Sequence, residues 1–447
     1  MNKPWNIMNR WLLSAAVLAT FTACQRTAPI APMPEDDGFL KKDGPVLMLH
    51  GKPFYEISFN KFDLFWQMLA AEFGRGGFGP HPAASAEKAL KDLNGLGFNT
   101  LRVFCTSSPD YFDPVKRPRF LAAMDRMLDL CDKYDIRLVF CLGNCEPPYA
   151  TECGEEFTDL ICREESASRR KMRQYVKEMV LRYRNRRTIA MWEHGNELLL
   201  KADIGGRSRE WNKMKIPTLE EIARFHTQEA AFIRSLDTGH PITTGDSYRN
   251  GLWTLFQFGQ GKSETMWAVD TMADIGRAVA MAQKPVDVFC IHNYYHSFAY
   301  GCHEVKGPDG KLAAVNLGDW TRIAHAEGKP LYIGEYSATP VARTEAQKKF
   351  WAENPEWFES YEGPDREKAE KVVQIALEQI LAAKPNLTHW WCYQSDRDMD
   401  QKNPQRFDID LERTPELVRL VADANRRLQM ATMGFSYMKT NVSEKGK

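Results

Sequence analysis

The stretch Ile189-Ala190-Met191-Trp192-Glu193-His194-Gly195-Asn196-Glu197 decides the fold. Its first part has the length and apolar character of a buried parallel strand. The strand pattern stops at a Gly, and an Asn and a Glu follow at once. Polar groups placed just past a parallel strand suit a pocket at its carboxyl end. We therefore predict that Glu197 is a catalytic acid at the carboxyl end of a barrel strand.

Strand-length apolar runs alternate with helical patterns along the rest of the chain. Besides the opening stretch, the predicted strands are residues 55–60, 98–104, 136–142, 241–245, 286–291, 330–334 and 387–393. The predicted helices are residues 85–96, 120–134, 165–186, 218–236, 264–283, 319–327, 364–383 and 414–430. Strands that alternate with helices predict a parallel sheet joined by right-handed crossovers.

Eight strand–helix units favour a closed barrel over an open sheet. The alternative, a Rossmann-like sheet, is weakened because no G-x-G-x-x-G follows any of the strands. The predicted fold class is therefore α/β, a single (β/α)8 TIM barrel. A barrel core needs about 250 residues, so the surplus must lie in long loops after the strands. A short hairpin over residues 46–54, with Gly51 and Lys52 at its turn, precedes the barrel.

The N-terminal residues are typical of a targeting segment. Arg10 precedes the apolar run 11–21, which is too short to span a bilayer comfortably but suits the core of a signal peptide. The run ends in Phe-Thr-Ala-Cys. This sequence resembles a bacterial lipobox, although Phe21 stands where Leu is usual, and it implies cleavage before Cys24 and a lipid on its thiol. The alternative is an ordinary secretory signal with a chance Cys.

These features predict three segments: a signal peptide over residues 1–23, a Pro-rich polar tether over 24–40 and one folded domain over 41–447. A lipid on Cys24 would be the only membrane attachment. The expected location is the cell envelope, anchored to the outer membrane and facing either the periplasm or the cell surface.

The composition is that of an ordinary globular protein, with 43% hydrophobic and 26% charged residues. The formal charge is zero, so no global basic field indicates a nucleic-acid partner. Twelve Trp residues tilt the interpretation toward carbohydrate, because exposed aromatic rings stack on sugar rings, although most of them belong in a core.

The cysteines fall into two groups. Buried free thiols are expected in or at the ends of strand-like runs, at Cys105, Cys141, Cys290 and Cys392. Export would also permit one disulfide within a loop-like region, among Cys145, Cys153 and Cys162. No pair has the CxxC spacing of a zinc site.

Polar or aromatic side chains lie near the carboxyl end of every predicted strand, where a barrel places its active site. They are Asn60, Arg102, Asn144, Asn196 with Glu197, Asp246, His292 with Tyr294, Glu335, and Trp390 or Trp391. Two of them, Glu197 and Glu335, are carboxylates in the similar contexts Gly-Asn-Glu and Ile-Gly-Glu. They follow the fourth and seventh strands, which face each other across a barrel of eight.

Paired carboxyl groups across a pocket are what cleavage of a glycosidic bond requires. One must be protonated to donate to the leaving oxygen and the other ionised to attack the anomeric carbon, so their surroundings must separate their pKa values. Arg102 would hold one carboxylate ionised, Asn196 would bind a sugar hydroxyl, and Tyr294 would donate to the nucleophile. Structural interpretations stay open: Arg102 as an ion-pair partner and His292 as a core histidine.

Adjacent residues on a strand point to opposite sides, so at most one of Trp390 and Trp391 can face the pocket, and both could simply seal the barrel end. Glu193 lies within its strand, four residues before Glu197. It therefore does not share the barrel mouth, and we interpret it as a buried partner in an ion pair.

Together these residues resemble the clan A glycoside hydrolases, most closely family 5, the cellulase and β-mannanase family. The segment from Trp192 to Glu197 is similar to the strand-four motif of that family, and Ile333-Gly334-Glu335 to its strand-seven motif. Accessory positions also match, over about residues 45–395: the N-terminal hairpin up to Asn60, Arg102, His292 with Tyr294, and a Trp after strand eight.

The resemblance implies a retaining mechanism with Glu335 as nucleophile and Glu197 as acid/base, and no metal or organic cofactor. The implied substrate is an oligo- or polysaccharide of β-glucan or β-mannan type, in contact with the accessory residues and with a strand-eight Trp as a floor. One departure is Asn144 after strand three, where many family members carry His, so the subsite on that side stays open. Aromatic residues in the long loops are candidates for further sugar units: Trp211, Tyr248, Tyr295 and Trp357.

Two other classes of function compete. A non-catalytic surface glycan-binding protein on the same scaffold is disfavoured, because such a protein has no need to keep both carboxylates and their accessory residues. A barrel enzyme of another chemistry is also disfavoured. An aldolase requires a Lys in the barrel mouth, and a metal-dependent hydrolase requires clustered His and Asp, for which His292 and Asp246 are too few.

Overall fold

The computed structural model describes residues 38–143, 149–203, 216–264, 269–295, 304–338, 366–397 and 408–433. The predicted signal peptide, Asn144, Cys145, Trp211 and Trp357 lie outside these ranges. Within them the chain forms one eight-stranded sheet and two small antiparallel sheets.

The large sheet is the barrel. Its strands in chain order are β4 (Glu56–Asn60), β5 (Thr100–Phe104), β6 (Arg137–Cys141), β7 (Ile189–Glu193), β8 (Ile242–Thr243), β9 (Phe289–Tyr295), β12 (Leu331–Ala338) and β13 (Leu387–Trp390). All paired neighbours are parallel, in the order β8-β7-β6-β5-β4-β13-β12-β9. Val288 N donates to Ile242 O at 3.2 Å and so links the two edge strands. The predicted (β/α)8 barrel is confirmed.

Helices surround the barrel and also lie in its loops. They are α1 (Leu64–Phe73), α2 (Pro82–Gly95), α3 (Pro109–Phe112), α4 (Arg117–Lys133), α5 (Tyr149–Glu152), α6 (Phe157–Cys162), α7 (Ala167–Tyr183), α8 (Leu219–Leu236), α9 (Leu252–Gly259), α10 (Met272–Gln283), α11 (Leu317–Ala326), α12 (Arg366–Ala383) and α13 (Pro415–Met433). In the described part of the chain, no helix combines the length and apolarity that crossing a membrane requires.

The remaining strands form the two small sheets. One comprises β1 (Lys41–Asp43), β2 (Val46–Leu49) and β3 (Lys52–Pro53), and the other comprises β10 (Glu304–Lys306) and β11 (Leu312–Ala314). The predicted hairpin is therefore present, but its turn lies one residue earlier, at His50 and Gly51, because both of these residues adopt positive φ.

The hairpin closes the bottom of the barrel. Its buried side chains Leu47, Leu49 and Phe54 pack in one cluster with inward-facing strand residues such as Val139 and Tyr332. Phe39 and Leu40 are buried as well, so the last residues of the segment predicted as a tether already belong to the packed structure. Because this end is filled with apolar side chains, the open end of the barrel is the one formed by the strand carboxyl termini.

Several predicted elements have different bounds in the structure. The helix predicted over 264–283 begins at Met272, because Thr271 and Asp274 form a capping box that fixes its first turn. The short helix α9 was absent from the prediction. The sixth barrel strand runs to Tyr295 instead of ending at residue 291, and it therefore carries His292 and Tyr294 within the strand. The four cysteines predicted to be buried are buried: Cys105, Cys141, Cys290 and Cys392.

Candidate active site

Glu197 lies just past β7 in a turn with left-handed backbone, at φ 53° and ψ 31°. This conformation costs a non-glycine residue roughly 1–2 kcal/mol, so the surroundings must hold it in place. Its N–H donates to the Gly245 carbonyl oxygen at 2.9 Å. This hydrogen bond ties the end of the fourth barrel strand to the end of the fifth and brings the Glu197 carboxyl group into the barrel mouth.

Glu335 approaches from the opposite side of the mouth. The register of β12 shifts around Gly334 against both of its neighbouring strands, a bulge that re-aims the next side chain. One carboxylate oxygen of Glu197, one of Glu335 and a ring nitrogen of His292 all lie within 4.8 Å of one another. The two carboxylates that the sequence places on the fourth and seventh strands therefore meet.

Arg102 connects the polar groups beneath the two carboxylates. Its Nη1 donates to Glu335 Oε1 at 2.7 Å and its Nε to Glu193 Oε1 at 2.8 Å. It also donates to the side-chain oxygens of Asn60 and Asn196. The guanidinium is fully buried, and it pairs with two carboxyl groups, one more than its single charge requires. Glu193 is thus the buried ion-pair partner that the sequence indicates.

His292 and Tyr294 lie on β9 between the two carboxylates. His292 Nδ1 is 3.0 Å from Glu197 Oε1 and 3.5 Å from Glu335 Oε1. The Tyr294 hydroxyl donates to Glu335 Oε2. The buried Nε2 of His292 has no hydrogen-bond partner among the described residues. A proton on Nδ1 is therefore the favoured tautomer, because an unpaired buried acceptor costs less than an unpaired donor.

Burial sets the protonation states around the site. Burial raises the pKa of Glu197 to about 7; Arg102 acts in the opposite direction, and the Asp246 carboxylate adds to the increase. Burial lowers the pKa of His292 to about 4, so its ring is neutral near pH 7. Burial, together with the charge of Glu335, raises the pKa of Tyr294 well above its ordinary value, so Tyr294 stays a donor.

Two glycines permit close contacts around the site, one between Gly334 and His292 and the other between Gly245 and the turn that carries Glu197. A Cβ atom on Gly334 would lie 2.7 Å from His292 Nε2. Gly245 has φ +70°, and a Cβ there would lie 2.4 Å from the Gly195 carbonyl oxygen. Side chains at these positions would displace the histidine or the turn that carries Glu197.

The structure separates the two candidate tryptophans. Trp390 is 1% exposed and packs in the core between strands and helices, beside Tyr336. Of the two alternatives, Trp390 is therefore the core residue and does not face the barrel mouth. Trp391 is half-buried and stacks on Phe62 with ring centroids 4.7 Å apart. Phe104 lies against both rings and beneath the Arg102 guanidinium, so Trp391 lies beside the buried polar network.

Other predicted substrate contacts are structural. Asn60 is fully buried, donates to the carbonyl oxygens of Gly334 and His389, and accepts from Arg102. Asn60 and Arg102 therefore lie beneath the two carboxyl groups, where they support Glu335 and its strand by hydrogen bonds, and they do not line the surface of the pocket. Tyr248, a predicted sugar-stacking residue, is buried against Trp320. Asn144 and the loop residues Trp211 and Trp357 lie outside the described residues, as does the side chain of Tyr295.

Glu197, His292 and Glu335 are also close enough to hold a cation. Both oxygens of Glu335 already accept hydrogen bonds, from Arg102 and Tyr294. The Arg102 guanidinium, 2.7 Å from Glu335 Oε1, already offsets the negative charge of Glu335 and so weakens its attraction for a cation. The arrangement therefore suits a reactive carboxylate more than a metal ligand.

Sequence reasoning missed a buried group behind Glu197. Asp246 was recognised only as a strand-end residue, and its neighbour His226 lies on α8, in the outer helical layer. His226 Nε2 lies 2.8 Å from Asp246 Oδ2. No spacing in the sequence indicates this contact, because it joins a helix residue to a strand end across the barrel wall.

Comparisons with known proteins agree with the fold. No family model matches the chain. Over 233 residues it is 26% identical to mannan endo-1,4-beta-mannosidase 5 of Arabidopsis thaliana, covering 46% of this chain and 49% of that protein. Over 236 residues it is 24% identical to mannan endo-1,4-beta-mannosidase 2 of Oryza sativa, covering 46% and 47% respectively. The chain thus spans about half the length of these relatives.

Solved structures extend the likeness to most of the chain. A glycoside hydrolase family 5 mannosidase from Rhizomucor miehei superposes with a TM-score of 0.60 at 15% identity, covering 89% of this chain and 99% of that one. The endo-beta-1,4-mannanase from Thermotoga petrophila gives 0.53 at 14% identity, covering 87% and 79%. The fold and site thus define a (β/α)8 barrel with paired glutamates. More particularly, the chain shares the barrel fold of the family 5 mannosidase from Rhizomucor miehei and of the mannanase from Thermotoga petrophila.

Proposed function

We propose that the protein is a retaining β-glycoside hydrolase that cleaves β-linked glycans of mannan or glucan type by double displacement. The observation that carries this proposal is the meeting of Glu197 and Glu335 across the barrel mouth, with oxygens within 4.8 Å of each other. Retaining glycosidases hold their carboxyl groups about 5–5.5 Å apart, whereas inverting ones leave roughly 6.5–9.5 Å for a water molecule.

The surroundings of the two carboxyl groups support different roles. Glu335 is paired with the Arg102 guanidinium and accepts from Tyr294, an environment that suits an anionic nucleophile. Glu197 has no cation in direct contact among the described residues, and burial raises its pKa to about 7. It can therefore carry a proton near neutral pH and donate it.

In the first step, a Glu335 oxygen attacks the anomeric carbon while the bond to the leaving oxygen breaks, and Glu197 gives that oxygen its proton. The product is a glycosyl ester on Glu335. In the second step, Glu197, now a carboxylate, takes a proton from water, and the oxygen of that water displaces Glu335 from the anomeric carbon. Two inversions at the same carbon retain its configuration.

The relatives named above act on mannan, so a 1,4-β-linked mannan is the first substrate to test. Asn196 accepts from Arg102 through its side-chain oxygen, which orients its amide NH2 group as a donor to a sugar hydroxyl. The half-buried Trp391 supplies an aromatic face for a sugar ring.

The test is hydrolysis of a panel of β-mannans, β-glucans and aryl β-glycosides by the wild type and by Glu335→Ala. We expect product from the wild type and a loss of at least about 10⁴-fold in the variant. Glu327→Ala is the matched control, because this exposed glutamate lies past α11 at the opposite end of the barrel. Binding without hydrolysis of any substrate would instead support a glycan-binding protein.

A mechanism-based label tests the roles directly. A 2-deoxy-2-fluoroglycosyl fluoride of the hydrolysed sugar should accumulate as an ester, and peptide mass analysis should find it on Glu335. Analysis of the first product anomer should show retention. Net inversion, or a label on another residue, would remove Glu335 as the nucleophile.

We also propose that Cys24 carries a lipid that anchors the enzyme to the cell envelope, on the basis of the apolar run 11–21 and the Phe-Thr-Ala-Cys sequence that ends it. Expression with radiolabelled palmitate tests this proposal. The wild type should incorporate label and fractionate with membranes, whereas Cys24→Ser should do neither. Equal labelling of both forms would contradict the anchor.

A further inference from the structure

A buried row of polar side chains lies behind Glu197 and takes no part in the mechanism described above. It comprises Asp246 after β8, His226 on α8 and His194 after β7, each at most 4% exposed. His226 Nε2 lies 2.8 Å from Asp246 Oδ2, and His226 Nδ1 lies 2.8 Å from His194 Nε2. Buried carboxylates and imidazoles are costly to keep in a folded protein, so their position beside a reactive residue calls for a role.

Asp246 is joined to the turn that carries Glu197. Its Oδ1 accepts from Leu199 N at 3.2 Å, and the carbonyl oxygen of the preceding Gly245 accepts from Glu197 N at 2.9 Å. The two hydrogen bonds hold the backbone N–H groups of Glu197 and Leu199, the residues on either side of Leu198. They therefore fix the left-handed backbone of Glu197, which is strained for a residue with a Cβ.

Charged and titratable groups face Glu197 from every side. Arg102 on β5 lies below it, while His292 and Tyr294 on β9 and Glu335 on β12 lie across the mouth. Lys201 lies on its own turn. Asp246 approaches from behind, where it is fully buried, so water does not screen its charge from Glu197.

We propose that Asp246, which contacts His226, is a positioning residue for the acid/base Glu197: it fixes the turn that carries Glu197 and places a buried negative charge behind that residue. This inference rests on the proposed glycosidase function and deepens it. The same charge assists both steps. It keeps the proton on Glu197 before the leaving group departs, and it afterwards makes the Glu197 carboxylate a stronger base toward water.

The decisive variant is Asp246→Asn, which keeps the shape and the oxygen that accepts from Leu199 N but removes the charge. The pKa of Glu197 should fall in this variant, because Asp246 raises it. The alkaline limb of the pH profile of kcat/KM should therefore move to lower pH, by about half a unit or more. Added to Glu197→Gln, the substitution should cause no further loss, because the group it acts on is absent.

The matched control is Asp237→Asn. Asp237 is also buried and paired with a histidine, with His240 Nδ1 2.6 Å from its Oδ2, but it bonds to Trp192 instead of the Glu197 turn. This control should lower the melting temperature and leave the pH profile unchanged. If Asp246→Asn folds poorly, Asp246→Ser supplies the same neutral change in a smaller side chain, and circular dichroism identifies the variant to use.

A second readout separates this inference from the proposed function. Infrared difference spectra between wild type and Glu197→Gln, recorded against pH, follow the Glu197 carboxyl group without turnover. A downward shift of this titration in the Asp246 variant would support the inference even if no glycoside were hydrolysed, in which case only the proposed function would fail. If Asp246→Asn folds natively and leaves both the Glu197 titration and the pH profile of kcat/KM unchanged, the positioning role of Asp246 is wrong.

Discussion

The guanidinium of Arg102 lies 2.7 Å from Glu335 Oε1, at a depth that solvent does not reach. An isolated buried cation would cost several kcal/mol, and the carboxyl groups of Glu335 and Glu193 both pair with this one. The proposed nucleophile is therefore part of a three-residue ionic network. Disturbing any member should affect both the reaction and the stability of the fold.

Arg102→Lys should abolish most activity. A lysine carries one point charge and cannot reach Glu193, Glu335 and Asn196 together, as the planar guanidinium does. We expect kcat/KM to fall by at least about 10³-fold and the free energy of unfolding to fall by about 3–5 kcal/mol. Steady-state kinetics and urea titration measure the two effects.

The control for this variant is Arg169→Lys. Arg169 is equally buried and bonds to Glu229 and to the carbonyl oxygens of Leu160 and Ile161, away from the site. It should lose comparable stability and keep kcat within about threefold. Equal losses of activity in the two variants would show that general destabilisation, and not the contact with Glu335, causes the effect.

Tyr294→Phe should slow the reaction without unfolding the protein. The variant loses one hydrogen bond to a charged carboxylate, worth about 1.5–3 kcal/mol, so kcat should fall roughly 10- to 100-fold. Tyr332→Phe removes a hydroxyl that contacts His389 below the site and should lower only the melting temperature. Normal kcat in Tyr294→Phe would contradict a role in supporting Glu335.

The two tryptophans should give opposite results. Trp391→Ala removes a half-exposed ring and should raise KM roughly fivefold, for about 1 kcal/mol of lost stacking. Trp390→Ala empties a core position and should cost about 3–5 kcal/mol of stability while leaving KM unchanged in the folded fraction. Measured KM and melting temperature distinguish them, and the reverse pattern would mean that Trp390 faces the substrate.

Glu56 should make stability depend on pH. It lies at the start of the first barrel strand, where burial raises its pKa from 4.5 to about 7. The folded state thus binds this proton more tightly than the unfolded state. The protonated Glu56 therefore contributes up to roughly 3 kcal/mol to the free energy of unfolding. This contribution is complete below pH 4.5 and is lost as the pH rises through about 7.

Glu56→Gln imitates the protonated acid, because its oxygen can accept from Asn99 and its NH2 group can donate to Thr100. The free energy of unfolding of the wild type, relative to this variant, should therefore decrease between pH 4.5 and pH 8. Urea titrations of both proteins at several pH values measure the difference. A constant difference across this range would mean that Glu56 is ionised in the folded protein throughout.

The sequence by itself determined the architecture and the two carboxylates. Eight apolar runs alternating with helical patterns favour a closed barrel over an open sheet, and the positions of Glu197 and Glu335 past their apolar runs predict the end of the barrel that they occupy. The interpretation of Glu193 rests on the same kind of argument, because a residue four positions earlier in a strand lies deep in the barrel. These conclusions depend only on local pattern and strand order.

The tertiary structure alone decided what each polar residue does. The sequence predicts that Asn60 and Arg102 contact the substrate. They instead lie within β4 and β5, and the closing of the barrel places them beneath the site, where their donors hold Glu335 and its strand. The contact of His226 with Asp246 arises only when α8 packs on the barrel wall. Burial, charge and hydrogen-bond partners depend on residues far apart in the chain. The spacing of residues in the sequence could therefore predict where the site lies, but not the protonation states and hydrogen-bond partners of its side chains.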